Sequence, residues 1–317
     1  MTNSPQLLQV ARLPEMVTEA LRAHFVLHDL GPVPDPVRLR GVAPDVRGIV
    51  AHGESLVGRA LLDQLPHLEL VAVFGVGYDG VDVAAARARG VQVTHTPGVL
   101  TDDVADLALA LLLATARQVC RADRFVRDGR WPAGPYPFTR KVSGARLGII
   151  GLGRIGLAVA RRAEAFAMTV AYHNRRPRLD VPYRYASSPL ELAASVDFLV
   201  VCAPGGDGSR HLVDAAVIAA LGPTGILVNV GRGPIVDEAA VAAALASGQL
   251  LGAGLDVFEH EPAVLPALLG CDTVVLTPHI ASGTAPTRRA MGDLLMANLL
   301  AHFAGQPVPT PVPTSST

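Results

Sequence analysis

Short apolar runs alternate with stretches whose apolar positions fall at helical spacing, and the alternation continues along most of the chain. In the first part, residues 7–11, 25–27, 49–51, 71–74 and 91–93 read as strands, with helices expected at 14–23, 56–64 and 82–89. The span 33–44 holds three prolines and several charges and reads as a loop. From Thr101 a helical pattern runs to about residue 128, with Thr101 or Asp102 as N-cap and Gly129 as the stop. The Pro-rich stretch 131–138 cannot continue it. A second series of strands follows at 147–150, 169–172, 198–202, 226–229, 253–256 and 274–276. A last helix is expected at 285–303, and the Pro- and Thr-rich tail beyond it reads as unstructured. Strand–helix alternation of this kind predicts an α/β fold, a parallel sheet with helices on both faces. Here it predicts two such modules.

Composition narrows the class. A chain of 317 residues suits about two domains, and with 50% hydrophobic and 17% charged residues it has ample core material. The mean hydropathy is positive. Yet the richest apolar run, 104–116, carries Asp106 and is shorter than the ~20 residues that span a bilayer. Residues 1–9 lack the pattern of a secretory leader. A formal net charge of −1 gives no electrostatic case for nucleic acid or anionic lipid. Cys120, Cys202 and Cys271 have no metal-like spacing and fit a reducing compartment. The expectation is a soluble cytoplasmic protein without a metal site.

The most informative stretch begins at Arg146. An apolar strand leads into Gly151-Leu152-Gly153-Arg154-Ile155-Gly156, an Ala-rich helix follows, and a second strand ends at Asn174-Arg175-Arg176. This is the strand, turn and helix context in which a glycine motif binds a dinucleotide, with the pyrophosphate at the helix N-terminus. A second such motif, Gly75, Gly77 and Gly80, also follows a strand. There Asp79 and Asp82 stand where the next helix starts, so carboxylates occupy its electropositive end and would repel a pyrophosphate. That loop is either an ordinary turn or a place where the N–H groups of Val76 and Gly77 hold a small anion. At the true site, an NAD enzyme usually carries an acid after the second strand to accept from the ribose 2′-OH. Asn174 removes that charge and Arg175 and Arg176 supply forked cations, which favours NADPH over NADH; a solvated Arg pair is the alternative.

Three further stretches lie at predicted strand ends, where open α/β sheets place ligands. They are Asn229-Val230-Gly231-Arg232-Gly233, the acid-rich segment from Gly254 to Pro262, and Thr277-Pro278-His279. The glycines beside Arg232 suggest a side chain that must approach a ligand closely. Arg, Glu and His together suit reduction of a ketone next to a carboxylate. Arg holds the carboxylate and polarises the carbonyl, and His donates the proton while a carboxylate orients its ring. Singly, each has a structural reading, as a capped core histidine, a solvated turn acid or an ion-paired arginine.

With these motifs the chain resembles the D-isomer-specific 2-hydroxyacid dehydrogenases over nearly its full length. The resemblance implies two Rossmann-like doubly wound domains with a cleft between them. One is a substrate domain of residues 1–98 plus 285–317, the other a dinucleotide domain of 99–284 through which a homodimer forms. It places the substrate-binding Arg at Arg232, the His-supporting Glu at Glu261 rather than Glu259, and the proton donor at His279. It puts Asp256 near the nicotinamide carboxamide, Val230 and Gly231 in backbone contact with the cofactor, and Val76 and Gly77 at the substrate carboxylate. Within the family, Asn174 to Arg176 and the 131–138 loop look most like NADPH-dependent glyoxylate/hydroxypyruvate reductases and their hydroxyphenylpyruvate-reducing relatives. In such relatives a partner's tryptophan can border the substrate, which makes Trp131 a candidate, with packing at the dimer rim as the alternative. His52 is expected to face solvent, a hydrogen bond to a polar substrate tail being the other reading. With the sequence ending near Thr317, a phosphoglycerate dehydrogenase of the kind that carries a regulatory extension is not the expectation.

The expected function is therefore NADPH-dependent reduction of small 2-oxoacids, glyoxylate and hydroxypyruvate first, with NADH as a lesser donor. An aromatic 2-oxoacid such as hydroxyphenylpyruvate or phenylpyruvate is the alternative substrate. A dinucleotide-sensing binding protein like the corepressors of this fold is the alternative of another class.

Overall fold

The structure, a computed structural model, describes residues 4–313. The expected domain ranges reach past both ends, and residues 1–3 and 314–317 lie outside the described residues. Contacts divide the chain into two compact units, Met1–Leu100 with Thr284–Thr317 and Thr101–Gly283.

The first unit contains β1 (Gln6–Gln9), α1 (Glu15–His24), β2 (Val26–Asp29), α2 (Pro36–Val42), β3 (Val46–Ala51), α3 (Arg59–Leu62), β4 (Leu70–Val73), α4 (Val83–Ala88) and β5 (Gln92–Thr94). These strands pair in parallel in the order β2-β1-β3-β4-β5. Every residue of β4 is buried, as expected of a strand covered on both faces. Two expectations fail here. The span 33–44 contains α2, because Asp35 accepts hydrogen bonds from the N–H groups of Val37 and Arg38 and Pro36 sits in the first turn, where its missing N–H costs nothing. The chain after residue 303 is also ordered as far as residue 313. Pro311 bridges Thr94 antiparallel, Val312 donates to the Val93 carbonyl, and Asn298 exchanges hydrogen bonds with Thr310. The tail closes the exposed edge of β5, which would otherwise leave backbone groups unpaired.

The second unit contains α5 (Thr101–Ala116), α6 (Val119–Arg127), β6 (Arg146–Ile150), α7 (Arg154–Glu164), β7 (Thr169–His173), β8 (Arg184–Tyr185), α8 (Pro189–Ala193), β9 (Phe198–Val201), α9 (Ala215–Leu221), β10 (Ile226–Asn229), α10 (Glu238–Ala246), β11 (Gly252–Leu255), α11 (Pro266–Leu269) and β12 (Val274–Leu276). Its seven strands, all parallel, run β12-β11-β10-β9-β6-β7-β8. The order reverses between β6 and β9, and ligands bind beyond the strand ends at such a point. The helix expected from 101 to 128 breaks at Gln118, whose φ is +50°. The two halves face different surroundings. Helix α5 is buried along one face and packs on β10 and β11, whereas no residue of α6 is buried. The two-residue β8 is too short for an apolar pattern to announce. After Gly283 the chain returns to the first unit as α12 (Ala285–Phe303), which packs on α1 and β4.

Candidate active site

The glycine turn after β6 is built for a close backbone. Gly151 has a φ of +93°, and a Cβ there would stand 2.5 Å from the Ala203 nitrogen. A Cβ on Gly156 would lie 2.3 Å from the Gly151 oxygen. Packing explains both. At Gly153, the N-cap of α7, an added Cβ meets nothing within 4 Å, so its bare backbone faces open space. No side chain caps α7. Helix α4 differs: Asp82 accepts from the Ala85 N–H at 2.8 Å. The electropositive end after Gly80 is thus satisfied from within, while that after Gly153 is open to an anion. The turn at 151–156 fits a pyrophosphate and the turn at 75–80 does not.

The tip of β7 is tied to this turn. Asn174 Oδ1 accepts from the Leu152 N–H at 2.7 Å, and Arg178 Nη1 donates to the Leu152 carbonyl at 2.9 Å. Arg178 also forks onto Asp180, with contacts of 3.0 and 2.5 Å. The guanidinium holds the Asp180 carboxyl below the usual carboxylate range. The nearest acid to the tip is therefore committed to an arginine. Arg175 and Arg176 are exposed. Sequence reasoning missed Arg178; its spacing of two from Asp180 was the only available signal.

At the exit of β10, Asn229 folds the chain back on itself, accepting from Gly231 N–H and donating to the Arg232 carbonyl. Arg232 donates to the Gly231 carbonyl at 2.8 Å. The flanking glycines have a packing cause. A Cβ on Gly231 would be 2.7 Å from the Ala203 oxygen, and one on Gly233 would be 1.9 Å from the Phe258 carbonyl carbon. They let backbone lie against backbone, a packing reason beside the ligand approach expected for them.

After β11, Asp256 is fully buried. Its carboxylate accepts from Thr277 Oγ1 at 2.7 Å, Ile280 N–H at 2.8 Å and Ala281 N–H at 2.9 Å, and its carbonyl accepts from His279 N–H. Burial pushes its carboxyl up, against the pull of these donors and of His279. Asp256 thus shapes the turn on which His279 stands with a φ of +51°. That turn aims His279 Nδ1 at Glu261 Oε2, 2.7 Å away, while Glu261 Oε1 accepts from the Phe258 N–H at 3.0 Å. Burial works to raise the Glu261 carboxyl, but His279, the Phe258 amide and Arg232 outweigh it and leave it below the ordinary value. An ionised Glu261 with its histidine can move a proton, and an arginine at the neighbouring strand end can hold an anion.

A sequence model of the D-isomer specific 2-hydroxyacid dehydrogenase NAD binding domain matches residues 109–281. The chain belongs to the D-isomer-specific 2-hydroxyacid dehydrogenases. It is an NAD(P)-dependent enzyme of that family. It is 50% identical to hydroxyphenylpyruvate reductase from Plectranthus scutellarioides over 85% of this chain and 86% of the relative. It is 48% identical to glyoxylate/hydroxypyruvate reductase A from Arabidopsis thaliana over 84% and 85%. The solved structure of the NADPH-dependent glyoxylate/hydroxypyruvate reductase from Sinorhizobium meliloti, with NADP and malonate, superposes with a TM-score of 0.90 at 45% identity, covering 98% of this chain and 97% of that one.

In the dehydrogenase's first unit, the N–H groups of Val76 and Gly77 have no hydrogen-bond partner among the described residues. The loop is held from behind, where His95 Nδ1 lies 2.8 Å from the Val76 carbonyl. His52 meets neither expectation. Its ring nitrogens lie 3.2 Å from the Phe74 carbonyl and 2.8 Å from that of Arg12, so its single N–H in the neutral form donates to one of these two carbonyls. Burial lowers its pKa, against the pull of the two carbonyls. In the second unit, Trp131 is 65% exposed and Phe138 wholly so. Among the described residues, no helix is long and apolar enough to cross a membrane.

Proposed function

We propose that the enzyme reduces small 2-oxoacids, glyoxylate and hydroxypyruvate first, with NADPH as the preferred donor and NADH as the lesser one. The Glu261–His279 pair at 2.7 Å carries the reading. When bound, the reduced nicotinamide supplies a hydride to the carbonyl carbon. Arg232 holds a substrate carboxylate and polarises the carbonyl oxygen through its fork, and in the first unit the Val76 and Gly77 N–H groups suit a carboxylate. Glu261, kept ionised, accepts from Nδ1–H of His279, so the ring donates its proton through Nε2 to the developing oxyanion. Gly151 to Gly156 would take the pyrophosphate, Asn174, Arg175 and Arg176 the 2′-phosphate, and Val230, Gly231 and His279 the nicotinamide end, with the buried Asp256 acting behind it through the turn that carries His279. The neutral Asn174 and the Arg178-bound Asp180 support NADPH, as does the NADP complex of the Sinorhizobium relative. In this reading the first unit serves substrate and the second the dinucleotide. The exposed Val119, Val126, Trp131 and Phe138 suit a homodimer through the second unit in which Trp131 reaches the partner's substrate, and the three free cysteines suit the cytoplasm.

An aromatic 2-oxoacid is the second reading, favoured by the 50% identity to a hydroxyphenylpyruvate reductase. Initial rates with glyoxylate, hydroxypyruvate, pyruvate and hydroxyphenylpyruvate, each with NADPH and NADH, test both. Glyoxylate and hydroxypyruvate should give the highest kcat/KM with NADPH. A higher value with hydroxyphenylpyruvate selects the second reading, and equal efficiency with both cofactors refutes the 2′-phosphate role of Arg175 and Arg176.

A further inference from the structure

We infer that Glu259, beside the reacting groups in sequence but absent from the proposed mechanism, is a positioning residue that sets the spacing of Arg232 and Glu261; this rests on the roles proposed for those two. Glu259 is almost fully buried, with 11% of its side chain exposed. Its Oε1 accepts from the N–H of Glu238 at 3.2 Å, and its own N–H donates to Glu238 Oε1 at 2.5 Å. Its Oε2 accepts from Arg210 Nη2 and His211 Nε2, each at 3.2 Å. Three segments meet at this carboxylate: 210–213, the 233–238 stretch that follows Arg232, and the 258–261 stretch that ends at Glu261. The first two are stitched together by His211 N–H to the Pro234 carbonyl and Val213 N–H to that of Ile235. The second and third touch directly, since a Cβ on Gly233 would overlap the Phe258 carbonyl.

Each partner of the Glu259 carboxylate itself is a donor, which a carboxylate satisfies more fully than a neutral amide does, even with the Glu238 carboxylate held nearby on the Glu259 N–H. The reciprocal pair with Glu238 joins the two loops at both ends of one contact. Loosening it lets Glu261 drift from His279 and Arg232 drift from its ligand. A displacement near 1 Å at reacting groups costs up to about a hundredfold in rate.

The test compares Glu259→Gln, Glu259→Ala and Glu261→Gln in kcat and KM for glyoxylate across pH, with NADPH affinity by fluorescence titration and thermal melting. Glu259→Ala should lose about tenfold or more in kcat. The alkaline limb of its pH–kcat profile should move to lower pH, because a displaced Glu261 favours the protonated His279 less. NADPH affinity should hold, and Glu259→Gln should fall between. If Glu259→Ala fails to fold, Arg210→Gln, at an exposed donor, should give a smaller shift of the same limb. A lower melting temperature with an unmoved pH profile overturns the inference. If Glu261→Gln also leaves the alkaline limb unmoved, it is the proposed role of Glu261 that has failed; if Glu261→Gln moves it and the Glu259 variants do not, only the inference falls.

Discussion

Gly233→Ala adds one methyl group at the point where the Arg232 loop crosses the Glu261 loop. The Cβ would sit 1.9 Å from the Phe258 carbonyl carbon, 2.0 Å from its oxygen and 2.4 Å from the Glu259 nitrogen. All three are backbone atoms, so no side-chain rotation relieves the overlap. Ordinary contact begins near 3.4 Å, and the loops must part by about 1.5 Å. Gly233 does not have a positive φ, so the perturbation is steric alone. Overpacking of this kind costs about 1–3 kcal/mol of stability, and the displacement exceeds the ~1 Å that lowers turnover about a hundredfold. The glycine turn at 151–156 is untouched. Expected, then, are a melting temperature lower by several degrees, kcat for glyoxylate down at least about a hundredfold, and near-normal NADPH binding by fluorescence titration. Wild-type turnover in a folded Gly233→Ala variant refutes the reasoning, since it means the two loops do not need their present spacing.

Asn174→Asp keeps an oxygen for the Leu152 N–H but adds charge at the tip, so the NADPH-to-NADH ratio of kcat/KM should fall at least about tenfold, near 1.4 kcal/mol; an unchanged ratio removes the tip from cofactor choice. Because the folded-state pKa of Glu261 lies below its ordinary value of 4.5, its stabilisation is present above that pH and is lost as pH falls through the lower folded value. Urea titrations should therefore show Glu261→Gln further below wild type at neutral pH than in strong acid, and the reverse pattern contradicts the assignment. Asn298→Ala removes the side chain that pairs with Thr310, at a cost of about 1–3 kcal/mol. Limited proteolysis should then cut residues 304–313 faster, and unaltered cleavage would show that the strand-edge contacts alone hold the tail.

Much of the architecture was legible locally. A strand buried on both faces must be a short apolar run, and a helix between two such strands must carry apolar residues at helical spacing, so most of both could be read from neighbouring residues. The same holds for the turn from Gly151 to Gly156 and for the strand ends after which Arg232, Glu261 and His279 stand. The cap that Asp82 places on α4 was legible as well, since a cap acts on amides three residues away. Contacts between distant segments were not legible. Nothing near Gln118 announces a break, which follows from one half of the pattern meeting β10 and β11 and the other meeting solvent. The tail is ordered because β5 has an unpaired edge. Gly231 and Gly233 are glycines because other backbone lies against them, and Arg178, Asp256 and Glu259 gain their roles from partners up to 49 residues away. Periodicity and caps are local properties of a chain, whereas the spacing of reacting groups depends on which remote segments press against them, and only the folded molecule decides that.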